Sequence, residues 1–159
     1  MLRDTMKQRT YDWEADVIQP RLSERINNRE EAELIIAQVL YQFAPPTPPR
    51  MPRIIWGETP GSRHRARGGP DRIKLPFWAQ TKWILLHEIA HTIEFRERSY
   101  LNEHQRAAHG PEWLTHYGRL LVHVGKIPPV HITRSAKHYR LTYGDITVDH
   151  YVNPMRIAC

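Results

Sequence analysis

An α+β fold is predicted for this 159-residue chain. Three observations predict it. Apolar residues recur at helical spacing through the amino-terminal third. Two short segments, residues 53–56 and 71–75, have the apolar and alternating character of strands. After Pro76 no Gly or Pro interrupts the chain until Gly110, room for one long helix.

Taken in order, residues 11–18 are amphipathic and stop near Pro20. Asn28 reads as a helix cap with Glu31 at the capping-box position. Ala32, Ile35, Ile36, Val39, Leu40 and Phe43 then form a stripe that belongs in a core. Residues 44–49, Ala-Pro-Pro-Thr-Pro-Pro, are a stiff extended connector, read as a tether within one domain spanning 1–159. The strand 53–56 follows, then a polar alternating run, 63–67, flanked by Gly61 and by Gly68-Gly69. That run reads as an edge strand or hairpin arm, placed to hold an extended peptide by strand addition or simply to blunt the edge with charge. The half-buried strand 71–75 completes a small sheet within 50–76. Two helices are expected in 77–125, the second entered through Gly110-Pro111 and ended by Gly125. In the carboxy-terminal extension, 126–159, residues 127–130 read as a turn or extended run. Residues 138–143 and 146–148 are expected to pair as a hairpin across Gly144-Asp145.

The chemistry concentrates in His87-Glu88-Ile89-Ala90-His91. On a helix, positions i and i+4 share a face, so both imidazoles reach one metal ion from the same side. Glu88 projects beside that ion, where a carboxylate takes a proton from bound water. Leu85, Ile89 and Ile93 make an i, i+4, i+8 row that buries this helix. A catalytic zinc takes three protein ligands. His109, at the mouth of the second helix, is the favoured third, and Glu112 is the rival at thermolysin-like spacing. His104, Glu97 and Glu103 are weaker candidates, read as solvated residues on a connecting loop. Trp113 reads as a core anchor beneath the site.

His87-Glu88-x-x-His91 followed by His109-Gly110-Pro111-Glu112-Trp113 resembles the SprT-like zinc metallopeptidases, whose pattern is HExxH and then HG-x-x-aromatic. It looks closer still to a group of small bacterial and phage HExxH metallohydrolases. There, as here, an Arg-Gly-Gly segment and an Ile-x-Leu-Pro strand precede the active helix (Arg67-Gly68-Gly69 and Ile73-Lys74-Leu75-Pro76). The match covers residues 54–120 or so. It implies a minimal zincin fold, with a small sheet on the HExxH helix and a second helix supplying the third ligand. It further implies Zn²⁺ held by His87, His91 and His109, with Glu88 as general base. The chain departs from many SprT-like proteins in lacking a downstream four-cysteine zinc ribbon, since its only cysteine is Cys159.

The function expected is therefore that of a zinc-dependent hydrolase, a metallopeptidase acting on a protein or peptide through a zinc-bound water activated by Glu88. Tyr117 and His116, on the second helix, are candidate stabilisers of the oxyanion. A non-catalytic zinc-binding adaptor with a basic nucleic-acid- or protein-binding face is the alternative, although Glu88 has no use there. A hydrolase for a non-peptide amide is a third reading.

Charge bears on partners. The formal balance is +6 and uneven. Residues 50–75 hold seven cations (Arg50, Arg53, Arg63, Arg65, Arg67, Arg72 and Lys74) against Glu58 and Asp71. Residues 126–140 hold Lys126, Arg134, Lys137 and Arg140 with no acid. Such segments attract phosphate backbones or acidic proteins, but no helix-turn-helix, RNA-binding or zinc-finger pattern accompanies them. One cysteine excludes an internal disulfide framework. No apolar run approaches the ~18 residues of a membrane span. The first residues lack the apolar core of a secretory signal, so the cytoplasm is the expected location.

Overall fold

The computed structural model describes residues 6–46, 50–103 and 105–153. They form an α+β structure of five α-helices and a three-stranded mixed sheet. Buried residues from the helices, the sheet and the tail join one hydrophobic cluster around Trp13, Leu85, Ile89, Trp113 and Leu120.

Helix α1 (Lys7–Trp13) continues directly into a π-helical turn, Glu14–Ile18, closed by Gln19 N–H donating to Glu14 C=O at 2.8 Å. Such turns widen a helix and occur often at functional sites. Helix α2 (Arg29–Phe43) starts where the capping pattern predicts, with Glu31 N–H donating to Asn28 Oδ1 at 2.8 Å. Glu31 returns a bond to the backbone N–H of Asn27, one residue before the cap itself. Its stripe is buried at Ala32, Ile36, Val39, Leu40 and Phe43.

The sheet has the order β1-β3-β2, with β1 (Arg53–Trp56) parallel to β3 (Arg72–Leu75) and β2 (Arg67–Gly68) antiparallel to it. Ile54, Ile73 and Leu75 face the core. Of the run 63–67, only Arg67 enters a strand. The preceding residues form a loop pinned by Trp78, whose indole N–H donates to His64 C=O at 2.7 Å.

The helix expected from Pro76 onward is broken. A 3₁₀ turn, Phe77–Ala79, precedes helix α3, which runs from Lys82 to Tyr100. Between them, residues 80–83 pair with the amino-terminal segment: Ile26 N–H donates to Gln80 C=O and Lys82 N–H to Glu24 C=O, each at 2.9 Å. The Arg25–Thr81 bridge belongs to the same pairing. This ladder holds Thr81 extended, so the helix cannot start sooner. Asn102, at φ 55°, ends α3, with Glu103 N–H bonded to Arg98 C=O and Asn102 N–H to Ser99 C=O.

Helix α4 (Pro111–His123) begins at Pro111 as expected, and Gly125 lies just past its end. The tail departs from expectation. Pro129 opens a fifth helix, α5 (Pro129–His138), where a turn or extended run was expected. A proline pair favours extended chain, yet proline at a first helical position sacrifices no hydrogen bond. Ile132 and Ala136, i and i+4, bury one face. The expected hairpin does not form either. Residues 139–153 carry no strand, and Leu141 and Ile146 are buried singly. No helix among the described residues is long and apolar enough to cross a membrane.

Candidate metal centre

Helix α3 presents His87 and His91 one turn apart, and Gly110-Pro111 swings His109 in from the mouth of α4. Their ligand atoms lie within 4.8 Å of one another. His87 Nε2 and His91 Nε2 are 3.2 Å apart. Zinc–nitrogen bonds of ~2.1 Å in a tetrahedral site put ligand atoms ~3.4 Å apart, so the His87–His91 pair already has ligand spacing. The three imidazoles can hold a metal ion.

The chemistry around His87 fits that role. Its Nδ1 is 2.8 Å from Glu14 Oε2, a carboxylate that is itself 1% exposed. This contact holds a proton on Nδ1, so Nε2 is the nitrogen that faces the cluster and would serve a metal, the arrangement metal-ligating histidines adopt. Burial lowers the pKa of His87, but the charge and hydrogen bond of Glu14 more than offset it and raise the net value. His91 is pushed well below the ordinary range, by burial first and then by His87, His109 and Arg98, which favours the neutral imidazole that metal binding requires.

Glu88 sits beside the triad and is 6% exposed. Burial, with Glu14 nearby, raises its pKa to about 7 against the pull of His87, the backbone N–H of Gly68 and Arg67. Gly68 can donate that bond because it lies against the helix. A Cβ there would stand 2.0 Å from the Glu88 carbonyl oxygen. Thr92 locks the same approach by donating to Gly69 C=O at 2.7 Å.

Aromatic rings frame the cluster. Trp113 is fully buried, stacks on His91 at 5.1 Å and 24°, and donates to His87 C=O at 3.4 Å. The anchoring role expected of it holds. Tyr11, from α1, meets His109 edge-on at 5.2 Å. The triad and Glu88 line an open cleft of about 1340 Å³ bounded by β2 and its flanking loop.

The other expected site residues lie elsewhere. Tyr117 is fully buried, and its hydroxyl donates to Glu14 Oε2 at 3.0 Å. His116 is buried against Glu97, with Nε2 3.2 Å from Oε1. Neither lines the cleft. Glu112 is exposed on the first turn of α4, outside the converging group. Glu97 is not a solvated loop residue but a buried one on α3, 2% exposed. Burial alone would raise its pKa, yet hydrogen bonds from His116 and Arg106 bring it down to about 2. Glu103 is half exposed and bonds Arg106 at 2.8 Å, while His104 lies outside the described residues.

Neither a protein-family model, nor a curated protein, nor a solved structure matches this chain.

Three parts of it escaped the sequence reading. Glu14 is separated from His87 by 73 positions, and its only signal is a carboxylate next to Trp13 on an otherwise apolar face. Gly68 enters the sequence reading only as a flank of the 63–67 run and within Arg67-Gly68-Gly69. Arg106 carries no sequence signal, yet its Nη1 is 2.7 Å from Glu97 Oε1 and so ties the His109 loop to α3.

Proposed function

We propose that this chain is a zinc-dependent metallopeptidase of SprT-like, minimal-zincin type, with His87, His91 and His109 as ligands and Glu88 as general base. The convergence of three imidazoles beside Glu88 at the floor of an open cleft carries this reading. The borderline-soft zinc ion suits an all-imidazole set. Held there, it would polarise the scissile carbonyl and lower the pKa of water toward ~7.

The residues do the rest. Glu88 takes one proton from the attacking water as the remaining hydroxyl adds to the carbonyl carbon. When the C–N bond breaks, Glu88 returns that proton to the leaving nitrogen, so one water yields an acid and an amine. The Gly68 N–H keeps the Glu88 carboxylate aimed while it changes charge. Glu14 and Tyr117 fix the tautomer of His87, and Trp113 holds the helix that presents it. Tyr117 thus positions a ligand instead of meeting the substrate oxyanion.

The test joins metal content to cleavage. Elemental analysis of wild type should give near-stoichiometric zinc, lost in His109→Ala and kept in Glu112→Ala. Casein or a mixed peptide substrate should be cut by wild type, and chelator or Glu88→Gln should abolish cutting while Glu88→Gln keeps its metal. A folded wild type that takes no zinc refutes the reading. Zinc without cleavage of any peptide leaves an adaptor or a hydrolase of non-peptide amides.

A further inference from the structure

The strand register leaves one sheet face almost wholly cationic. Alternation sends Ile54, Ile73 and Leu75 into the core, so Arg53, Arg72 and Lys74 stand on the opposite face. Arg53 is the β1 neighbour of Arg72, and Arg67 of β2 sits opposite Lys74. Like charges facing each other across strands are destabilising. Among the described residues, none of these four, nor Arg65, forms an ion pair. Glu88 offsets part of the Arg67 charge, but no described carboxylate pairs with Arg53, Arg72 or Lys74, which suggests that their compensating charge arrives from outside.

Arg65, Arg67, Arg72 and Lys74 line the same cleft as His87, Glu88, His91 and His109. Whatever neutralises the face therefore extends to the metal centre. Arg72 and Lys74 are two residues apart on β3, about 7 Å along the strand, which is the spacing of side chains i and i+2 on one face of an extended peptide. Strand β2 lies at the sheet edge, where an extended chain can add by main-chain hydrogen bonds. A nucleic-acid duplex could press its phosphates on this face, but a rigid rod has no means of reaching imidazoles buried at the cleft floor. An extended polypeptide can do both.

We propose that the cleft selects acidic polypeptides, with Asp or Glu side chains at alternate positions seated on Arg72, Lys74 and Arg67 while the chain runs along β2 toward the triad. The proposal rests on the peptidase reading of the cleft, and its test reads binding so that the two can fail separately. The probes are fluorescein-labelled ten-residue peptides of alternating Glu-Ala or Gln-Ala, titrated by anisotropy into full-length Glu88→Gln protein at about 50 and 200 mM salt. The Glu peptide should bind about 10-fold more tightly at low salt, with the gap shrinking at high salt. An added Arg72→Gln/Lys74→Gln pair should cut the preference to about 2-fold or less, at a melting temperature equal to or above that of the parent, because neither side chain is in the core and the cross-strand repulsion is relieved.

Equal binding of the two peptides overturns the proposal, as does a preference that survives the double substitution in a folded protein. Displacement of the Glu peptide by an oligothymidylate of equal charge at equal or lower concentration also overturns it, and reassigns the face to phosphate. Selective binding of the Glu peptide, joined to its inertness toward zinc-loaded wild type, would retain the acidic-ligand face and sink the peptidase reading.

Discussion

Removing the Glu14 carboxylate tests whether α1 is part of the metal centre or merely covers it. Glu14 Oε2 accepts from His87 Nδ1 at 2.8 Å and from the Tyr117 hydroxyl at 3.0 Å. Glu14→Ala strands both donors in a buried site. Each buried donor left unsatisfied costs about 1–3 kcal/mol. Tyr117 retains a long contact to Trp83 C=O at 3.4 Å, so the expected total lies in the lower part of the range, about 2–4 kcal/mol. For a chain of this size that is a fall of about 4–16 °C in Tm. Zinc affinity should fall about 10–100-fold, because His87 loses the partner that sets its tautomer and raises its basicity. Glu14→Gln keeps an acceptor and loses the charge, so it should show a small Tm change and a roughly 10-fold loss of affinity. Competition against a chromogenic zinc chelator, with melting curves on the same samples, separates the two effects. A folded Glu14→Ala protein whose zinc affinity stays within about 2-fold of wild type would refute the reasoning.

Gly68→Ala should destabilise by about 1–3 kcal/mol or more, because the clash is with the Glu88 backbone, which cannot rotate aside; a melting temperature equal to wild type would contradict the close approach. Arg106→Ala leaves buried Glu97 with His116 as its remaining partner, so a loss of about 1–3 kcal/mol is expected with weakened zinc binding through His109, whereas Glu103→Ala, at a 45% exposed side chain, should change stability by no more than about 0.5 kcal/mol. Stability against pH should carry two opposing limbs in the metal-free protein. Glu97 has its pKa lowered from 4.5 to about 2, so its stabilisation is present above 4.5 and lost as pH falls toward 2. Glu94 and Glu88 are both raised from 4.5 to about 7, chiefly by burial, so the fold holds protons the unfolded chain has released and loses stability as pH rises between those values. Urea unfolding across pH should show Glu97→Gln flattening the acid limb and Glu94→Gln reducing the upper one by the share that is not Glu88's; parallel curves would refute the assignment.

What the sequence disclosed was local. The α2 cap, the strands β1 and β3, the α4 entry at Pro111 and the imidazoles sharing one helix face all follow from residues within a few positions of each other. The failures are non-local. The break before α3 is imposed by pairing with Glu24 and Ile26, more than fifty residues away, and the one local signal, a capping residue type at Thr81, makes no side-chain cap bond. Helix α5 shows the same limit from the other side. Pro128-Pro129 reads as extended until the core offers Ile132 and Ala136 a place to bury. At its end Arg140 adopts φ 58°, with Leu141 N–H bonded to Ala136 C=O, a turn usually signalled by glycine or asparagine. The sequence places Glu97 in solvent, on a connecting loop, where carboxylates usually are. Only the arrival of Arg106 and His116 makes its burial tolerable.

The charges at the centre argue for a dication on grounds independent of ligand spacing. Two carboxylates, Glu14 at 1% and Glu88 at 6% exposure, are buried against three imidazoles, and His91 resists protonation. One imidazolium at His87 neutralises one carboxylate, and the second is left to rise toward neutrality, which is the state of Glu88 with its pKa near 7. A buried charge without a partner is costly, and a protein ordinarily removes it by mutation or protonation. Here the carboxylate is retained beside nitrogen atoms that are better acceptors for a metal than for a proton. A divalent ion held by the three imidazoles would balance both carboxylates at once, with His87 neutral, and would lower the Glu88 pKa toward that of a base at neutral pH. Saturating zinc should then raise Tm in wild type, and raise it less in Glu88→Gln, where one of the two balancing charges is gone. Equal gains in the two proteins would mean that Glu88 does not feel the ion.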